Sequence, residues 1–320
     1  MKNVLEVKNL SVYYYAKRAV IKAVENVSFS IGEGEIVGLV GESGCGKSTL
    51  ASALMRLVPH PGKIVSGEII LNGKNILELS DEEIRRIRGS VVSMVFQDPM
   101  TCLDPLMRIG DQIVETILAH TDMSSEEAKK YAMELLEIVG IKRDRYYDYP
   151  HQLSGGMRQR VMIAMAVALK PKLIIADEPT TALDVIVQDQ IMDLFKELRD
   201  KFKTSILVIS HDIALILEIS DKVGVMYAGH LVEFSSSEEL IENPLHPYTR
   251  ELLKAIPNIE IEDQKLVSIP GSPPDLSNPP PGCLFHPRCP CRMDICCKDA
   301  PPKLTINGRL VECWLYGDKP

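Results

Sequence analysis

The sequence predicts an α/β protein built on a parallel β-sheet, and two patterns carry this expectation. Short, almost continuously apolar segments such as Glu35–Val40, Leu173–Ala176 and Ser205–Ile209 have the composition of strands buried on both faces. Helix-forming stretches separate them, and strands that alternate with helices indicate a parallel sheet. At about 150 residues per domain, the 320 residues correspond to roughly two domains.

The N-terminal residues predict strands joined by tight turns. Val4–Val7 and Val27–Ile31 alternate apolar with polar residues, and a glycine-containing turn follows the second segment. The buried strand at Glu35–Val40 comes next, and we expect a helix that continues through Leu57 after an intervening glycine-rich loop.

This loop, Gly41-Glu-Ser-Gly-Cys-Gly-Lys-Ser48, matches the phosphate-binding P-loop, or Walker A, pattern. Glycines let backbone N–H groups turn toward phosphates, Lys47 would neutralise the β- and γ-phosphates, and the Ser48 hydroxyl would hold Mg²⁺. A glycine-rich turn can also be purely structural, but a strand before it and a helix after it favour ATP binding. The predicted ATP contacts here are Gly41, Ser43, Gly44, Cys45, Gly46, Lys47, Ser48 and Thr49.

Two adjacent carboxylates, Asp177 and Glu178, follow the apolar strand Leu173–Ala176. Successive side chains of a strand point to opposite sides, so the two can serve different tasks. Asp177 can reach the Mg²⁺ shell, and Glu178 can then polarise the attacking water. A solvated acidic turn is the alternative, which the accompanying P-loop disfavours.

The middle of the chain, from about Met100 to Leu153, is predicted to be helical. Ser124 followed by Glu127 has the pattern of a capping box that opens a helix, and Gly140 is the expected end of that helix. Farther on, the proline-rich segment Pro270–Pro281 is predicted to be an extended loop.

Leu153-Ser-Gly-Gly-Met-Arg-Gln-Arg160 resembles the signature sequence of ATP-binding cassette (ABC) proteins. Val95-Phe-Gln97 looks like the Q-loop of that family, Thr181-Ala-Leu-Asp184 like its D-loop, and Ser210-His211-Asp212 like its switch-histidine segment. The motifs stand in the family's order, and the resemblance covers essentially the whole chain.

The resemblance implies a P-loop NTPase fold: a RecA-like core, an antiparallel β subdomain, an inserted helical subdomain at about 98–158, and an irregular metal-binding C-terminal extension. It places the nucleotide-binding domain at 1–235 and the extension, with its cysteine cluster, at 236–320.

The resemblance also implies roles for individual residues. Glu178, His211 and Lys47 would be catalytic, and Gln97 would join Ser48 at Mg²⁺. In this family the signature loop of one subunit caps the γ-phosphate held by another, and the free N–H groups and dipole of a helix start suit that task. The residues expected to act on the partner's ATP are Ser154, Gly155, Gly156 and Asp184.

Family members stack adenine on an aromatic residue just after the first strand. Tyr13, Tyr14 and Tyr15 compete for this role, and gapless alignment of that strand favours Tyr14. Three tyrosines that simply pack on the sheet are the alternative.

The tail identifies a subgroup. Asn243–Arg250, Ile269–Pro274 and Gly282–Pro290 look like the C-terminal region of oligopeptide and dipeptide importer ATPases, a region also found in subunits assigned to nickel import. The resemblance implies two permease subunits and, indirectly, an extracytoplasmic peptide-binding protein. It also implies a second ATPase subunit, for which a related chain is preferred and an identical chain is the alternative.

Six of the eight cysteines lie between Cys283 and Cys313. In a reducing compartment clustered thiols are more often metal ligands than disulfides. Cys283, Cys289, Cys296 and Cys313 suit a [4Fe–4S] cluster or Zn²⁺, and their long spacings favour iron–sulfur, as the resemblance does. Either surplus cysteine, Cys291 or Cys297, could replace a neighbouring ligand, and thiols without metal are a further alternative.

Composition limits the other possibilities. A net charge of −8 argues against non-specific nucleic-acid binding. No segment approaches the roughly 20 apolar residues of a spanning helix, and charges occupy the N-terminus where a signal peptide is apolar. We therefore expect a peripheral protein at the cytoplasmic face of the cell membrane. The main alternative is a soluble cassette ATPase that acts in DNA repair or in translation. A third possibility, a catalytically inactive cassette, is disfavoured because the sequence retains Lys47, Asp177, Glu178 and His211.

Overall fold

The structure is a computed structural model that describes residues 2–17, 19–256 and 269–317. The chain divides into two compact units, each assembled from several segments. One unit comprises Met1–Leu5, Ile31–Ile36 and Ile70–Ile209, and the other comprises Glu6–Ser30, Val37–Ile69 and Ser210–Pro320. In the described part of the chain, no helix has the length and apolar character needed to cross a lipid bilayer.

The secondary structure alternates strands and helices as the sequence predicts. The strands are β1 (Asn3–Tyr15), β2 (Val20–Gly32), β3 (Ile36–Val40), β4 (Gly62–Leu71), β5 (Lys74–Asn75), β6 (Val92–Val95), β7 (Leu173–Asp177), β8 (Ser205–Ser210), β9 (Lys222–Tyr227), β10 (His230–Ser236), β11 (Lys303–Ile306) and β12 (Arg309–Glu312). The α-helices are α1 (Lys47–Leu54), α2 (Asp81–Ile87), α3 (Pro99–Cys102), α4 (Ile109–Leu118), α5 (Ser125–Ile138), α6 (Gly155–Val167), α7 (Val185–Phe202), α8 (Ile213–Ile219), α9 (Ser237–Glu242) and α10 (Pro247–Lys254).

The first unit contains the parallel strand order β6–β7–β8. Leu173 in β7 is in register with Val92 of β6 and with Ser205 of β8. Every residue of β7 is buried, in agreement with the apolar sequence of Leu173–Ala176. The predicted parallel pair is therefore confirmed, with α7 between its strands.

The middle of this unit is helical, and the predicted capping box is confirmed. The Ser124 hydroxyl accepts the Glu127 N–H at 3.3 Å, and the Glu127 carboxylate accepts the Ser124 N–H at 2.9 Å. Helix α5 ends just before Gly140, whose φ of 80° suits glycine. Helix α6 continues to Val167, beyond the expected end of the helical subdomain near 158. The domain boundaries proposed from the sequence stay predictions.

In the second unit, β3 pairs with β9 in parallel, and β9, β10, β12 and β11 follow in antiparallel pairs. The expectation of an irregular C-terminal extension is wrong over the helices α9 and α10, and it is also wrong over 303–312, where β11 and β12 form a hairpin. Its turn is Asn307-Gly308, both with positive φ, which is a favoured two-residue hairpin turn. Leu245, Val311 and Cys313 form a small apolar core beside it.

Two predicted boundaries also differ from the structure. Helix α1 ends at Leu54 rather than Leu57, because Arg56 adopts a left-handed φ of 50° and its N–H bonds the Ala53 carbonyl oxygen. Strand β1 is longer than the alternating segment suggested. It includes the tyrosines at positions 13 to 15, which lie in the strand and not after it.

Candidate functional site

The P-loop joins the end of β3 to the start of α1 in the second unit, which confirms its strand–loop–helix setting. Gly41 and Gly46 cannot be replaced by larger residues without rearrangement. A Cβ on Gly41 would lie 2.2 Å from the Met226 carbonyl oxygen, and one on Gly46 would lie 2.1 Å from that of Ala23. Gly46 occupies the N-cap position of α1 and has no side chain, so it forms no capping hydrogen bond to the first-turn N–H groups that an anion would use.

The Lys47 side chain folds back over the loop. Its ammonium donates to the Gly41 carbonyl oxygen at 2.8 Å and to that of Glu42 at 3.2 Å, and the residue is only 4% exposed. The loop carbonyls therefore solvate a buried cation next to the uncapped helix start. Both features favour a negatively charged ligand at this place.

Of the three candidate tyrosines, Tyr14 has the contact with the P-loop helix. Its hydroxyl lies 3.5 Å from the Thr49 hydroxyl. Tyr13 instead lies under the Lys22 ammonium at 5.4 Å, and Tyr15 under that of Lys63 at 5.8 Å. Side chains alternate along a strand, which separates Tyr14 from its two neighbours.

His211 is exposed between β8 and α8. The segment around it is fixed by local hydrogen bonds. The Asp212 carboxylate accepts the N–H groups of Ala214 and Leu215 at 3.0 and 3.2 Å, and the Asp212 N–H donates to the Ser210 hydroxyl at 3.0 Å. These bonds hold the turn that presents the histidine to solvent.

Glu178 follows β7 in the first unit, where a network orients its carboxylate. Oε2 accepts from Gln97 Nε2 at 3.0 Å and from the Thr181 hydroxyl at 3.1 Å. Glu178 has a φ of 45°, a strained value for a residue other than glycine and one found often at functional sites. Asp177 ends the strand and is buried. The structure thus joins the Q-loop glutamine to the carboxylate predicted to be the base, and no sequence pattern predicted the hydrogen bond from Thr181.

The signature and D-loop motifs each cap a helix in the first unit. The Ser154 hydroxyl accepts the Met157 N–H at 3.4 Å at the start of α6, and the Asp184 carboxylate accepts the Val187 N–H at 3.0 Å at the start of α7. A Cβ on Gly156 would lie 2.6 Å from Val187 Cγ1, so the glycine permits close packing of the two helix starts. Ser154 and Gly155 are themselves exposed.

The four cysteines expected to bind metal influence one another electrostatically. Burial raises the pKa of Cys283 to about 12, and the thiols of Cys296, Cys313 and Cys289 add to that rise. Burial likewise raises the pKa of Cys289 to about 11 and increases that of Cys313. Among the described residues, however, no group of three or more His, Cys, Asp or Glu side chains has an arrangement that could hold a metal ion.

Backbone N–H groups oppose the effect of burial at three of these sulfurs. Hydrogen bonding by the N–H two residues along the chain lowers the thiol pKa in each case: that of Phe285 acts on Cys283, that of Cys291 on Cys289, and that of Leu315 on Cys313. Such bonds stabilise thiolates and are one way in which proteins tune metal–sulfur centres. Cys297 differs, because its sulfur lies 4.0 Å from the Met293 carbonyl oxygen of its own helical turn.

Family models match most of the chain in two parts. The model described as ABC transporter matches residues 24–181, and the one described as oligopeptide/dipeptide transporter, C-terminal region, matches residues 232–296. The first match spans the P-loop, the signature and the acidic pair, and the second spans part of the cysteine cluster.

Individual relatives are similar over almost their whole length. The chain is 49% identical to the oligopeptide transport ATP-binding protein AppD of Bacillus subtilis (strain 168), covering 100% of this chain and 98% of the relative. It is 46% identical to the oligopeptide transport ATP-binding protein OppD of Escherichia coli (strain K12), covering 97% and 92%. A dimeric post-hydrolysis structure of the ATP-binding cassette MJ0796, bound to ADP and Pi, is 31% identical with a TM-score of 0.66, covering 73% of this chain and 98% of that one.

Proposed function

This chain belongs to the family of ATP-binding proteins of oligopeptide and dipeptide ABC transporters, and from that premise we propose that it powers the uptake of di- and oligopeptides across the cytoplasmic membrane. As a member of the family it is an ATP hydrolase. The observation that supports peptides as the transported cargo is the match of residues 232–296 to the C-terminal region of such transporters. A nickel cargo is the alternative, and a soluble cassette without a transport role is less well supported because of the same match.

The P-loop holds the triphosphate in this proposal. Its phosphate contacts come from backbone N–H groups of the loop and from the Lys47 ammonium. The residues in contact with ATP are Gly41, Ser43, Gly44, Cys45, Gly46, Lys47, Ser48 and Thr49. The uncapped start of α1 and the buried Lys47 ammonium support this role. Tyr14 stacks on adenine, and its contact with Thr49 supports it over the neighbouring tyrosines.

Mg²⁺ neutralises phosphate charge when it is bound, and Ser48, Gln97 and Asp177 supply oxygen ligands of the kind it prefers. Glu178 accepts a proton from the attacking water, while His211 and Lys47 stabilise the developing negative charge. The hydrogen bonds from Gln97 and Thr181 support the role of Glu178, because they orient its carboxylate.

Hydrolysis requires a second ATPase subunit, preferably a related chain and alternatively an identical one. Ser154, Gly155, Gly156 and Asp184 act on the ATP that this partner holds. The exposed signature helix start supports the proposal, as do the exposed apolar residues Val185 and Ile186 directly after Asp184. Exposed apolar side chains beside a functional loop are typical of an interface.

The chain is peripheral to the membrane and docks on two permease subunits, which receive peptide from an extracytoplasmic binding protein. Three exposed apolar residues near the Q-loop, Phe96, Met100 and Leu106, support a docking surface there. Leu106 is 85% exposed. Nucleic acid is not a partner in this proposal, and the net charge of −8 supports this because it repels phosphate backbones.

A [4Fe–4S] cluster, with Zn²⁺ as the alternative, is bound by Cys283, Cys289, Cys296 and Cys313. The donor set supports this in its chemistry, because the thiols of Cys289, Cys296 and Cys313 raise the pKa of Cys283 beyond the effect of burial. Backbone N–H groups lower the pKa of three of the thiols, those of Cys283, Cys289 and Cys313. The role of the group is structural, since it would cross-link a proline-rich segment. Iron, zinc and acid-labile sulfide analysis of anaerobically purified protein tests this proposal, and a sample with neither metal contradicts it.

The transport function is tested by purifying the tagged chain from its native membrane and identifying the proteins that accompany it. We expect two permeases and a second cassette. The complex is then reconstituted in liposomes with its binding protein, and uptake of labelled dipeptide, longer peptide and nickel is compared. ATP-dependent peptide uptake supports the proposal, whereas nickel uptake without peptide uptake favours the alternative cargo.

A further inference from the structure

Glu42, the second residue of the P-loop, is held through all of its polar groups. Its carboxylate forms a two-pronged ion pair with Arg288, at 2.6 Å from Nη1 and 2.9 Å from Nη2. Its N–H donates to the Tyr248 hydroxyl at 3.0 Å. Its carbonyl oxygen accepts from the Lys47 ammonium and, at 3.2 Å, from the Cys45 N–H.

Two of these partners, Arg288 and Tyr248, come from the C-terminal part of the chain. The Arg288 side chain is 5% exposed and is itself oriented, because its Nε donates to the Pro270 carbonyl oxygen at 2.9 Å and its guanidinium lies 5.9 Å from the Tyr227 ring centroid. The rings of Tyr227, Tyr248 and Phe285 pack with centroids 4.6 to 5.3 Å apart beneath it.

We infer that Arg288 is a positioning residue for ATP binding: it fixes Glu42 and thereby preorganises the P-loop from the C-terminal extension. This inference rests on the proposed phosphate-binding role of Gly41–Ser48. Arg288 acts through Glu42, whose backbone supports the Lys47 ammonium. The pair is stronger than an ordinary surface ion pair because it is two-pronged and its arginine is buried.

The expected effect falls on nucleotide affinity. Without the ion pair the Glu42 carboxylate turns to solvent, and ATP binding must order a looser loop. If the P-loop regains the conformational entropy of about one residue's backbone, its affinity for ATP falls about tenfold, which corresponds to about 1.4 kcal/mol. The turnover number at saturating ATP stays nearly unchanged, because Arg288 does not orient Glu178.

Three variants of the full chain separate positioning from simple charge attraction. Arg288→Met removes the cation, Arg288→Lys keeps the charge but loses the fork, and Glu42→Gln keeps Arg288 but weakens the pair. Arg309→Met is the matched control, because Arg309 forms a comparably buried ion pair with Glu233 at 3.1 Å in the same extension and also donates to the Asn243 carbonyl oxygen at 2.6 Å, and neither of these partners belongs to the P-loop. The measurements are KM and kcat for ATP, and hydrogen exchange of the 41–47 amides in nucleotide-free protein.

We expect faster 41–47 exchange and a raised KM for Arg288→Met and Glu42→Gln, intermediate values for Arg288→Lys, and wild-type values for Arg309→Met. If only the charge of Arg288 mattered, Glu42→Gln would instead bind ATP more tightly, and that result overturns the inference. Unchanged exchange and KM in Arg288→Met, or equal effects in Arg309→Met, also overturn it. Should Arg288→Met fail to fold, wild-type values in Arg288→Lys overturn it. A wild-type protein that does not bind ATP contradicts the proposed function itself, whereas the exchange data still test the ion pair.

Discussion

The Glu178→Gln variant is expected to bind MgATP with nearly normal affinity and to hydrolyse it about 10² to 10⁴ times more slowly, which is the usual contribution of a general base. That loss corresponds to about 2.7 to 5.5 kcal/mol in the activation barrier. The hydrogen bonds from Gln97 and Thr181 reach a single oxygen of Glu178, and glutamine retains one acceptor oxygen that can receive both. The cost in folding stability is therefore at most about 1 kcal/mol, the scale of one hydrogen bond. The variant should therefore lose most of its ATP hydrolysis while its folding stability stays nearly normal.

Steady-state phosphate release measures the turnover number, and a fluorescent ATP analogue measures affinity. Glu137→Gln is a matched control, because this exposed carboxylate pairs with Arg143 at 2.8 Å in the same unit, and its loss should leave hydrolysis unchanged. Undiminished hydrolysis by Glu178→Gln, with Glu137→Gln also normal, would refute the assignment of the base.

Three further predictions address the loop, the helical region and the cysteines. Gly46→Ala should abolish ATP binding, because the added Cβ would lie 2.1 Å from the Ala23 carbonyl oxygen. Gly73→Ala is the control: Gly73 also has a positive φ but has open space around it, so this variant should bind ATP normally in the same fluorescence assay. Equal ATP binding by both variants contradicts the argument. Ser124→Ala should lower the Tm by about 1–3 °C through loss of the helix cap while ATPase activity persists, and an unchanged Tm in a calorimetric scan contradicts this. Cys289→Ser should lose bound iron while Cys297→Ser retains it, and iron analysis that gives the opposite order contradicts the ligand set.

Local sequence signals predicted local structure well. The Ser124–Glu127 pair predicted the start of a helix, because a capping box involves only two residues that are three positions apart. The apolar segments before the P-loop and before Asp177 predicted buried strands, because a strand that is covered on both faces has few polar side chains. The chemistry of the nucleotide motifs was likewise evident, since each motif is short and contiguous.

Other features depend on contacts that sequence spacing does not reveal. Arg288 pairs with Glu42 across 246 positions, so no local pattern joins them. The hairpin around Asn307-Gly308 did carry a local turn signal, but the predominance of proline and cysteine nearby suggested irregular structure. The length of β1 was underestimated because its strongly polar stretch interrupts the alternation.

The most direct test of the central claim is whether nucleotide joins two cassettes. Glu178→Gln protein is loaded with MgATP, alone and with each cassette that co-purifies with it, and its molar mass is measured by light scattering. Sealing of one subunit's triphosphate by the Ser154–Gly156 helix start of another predicts a dimer that forms with MgATP and dissociates when nucleotide is removed. A strictly monomeric mass in every combination contradicts the account.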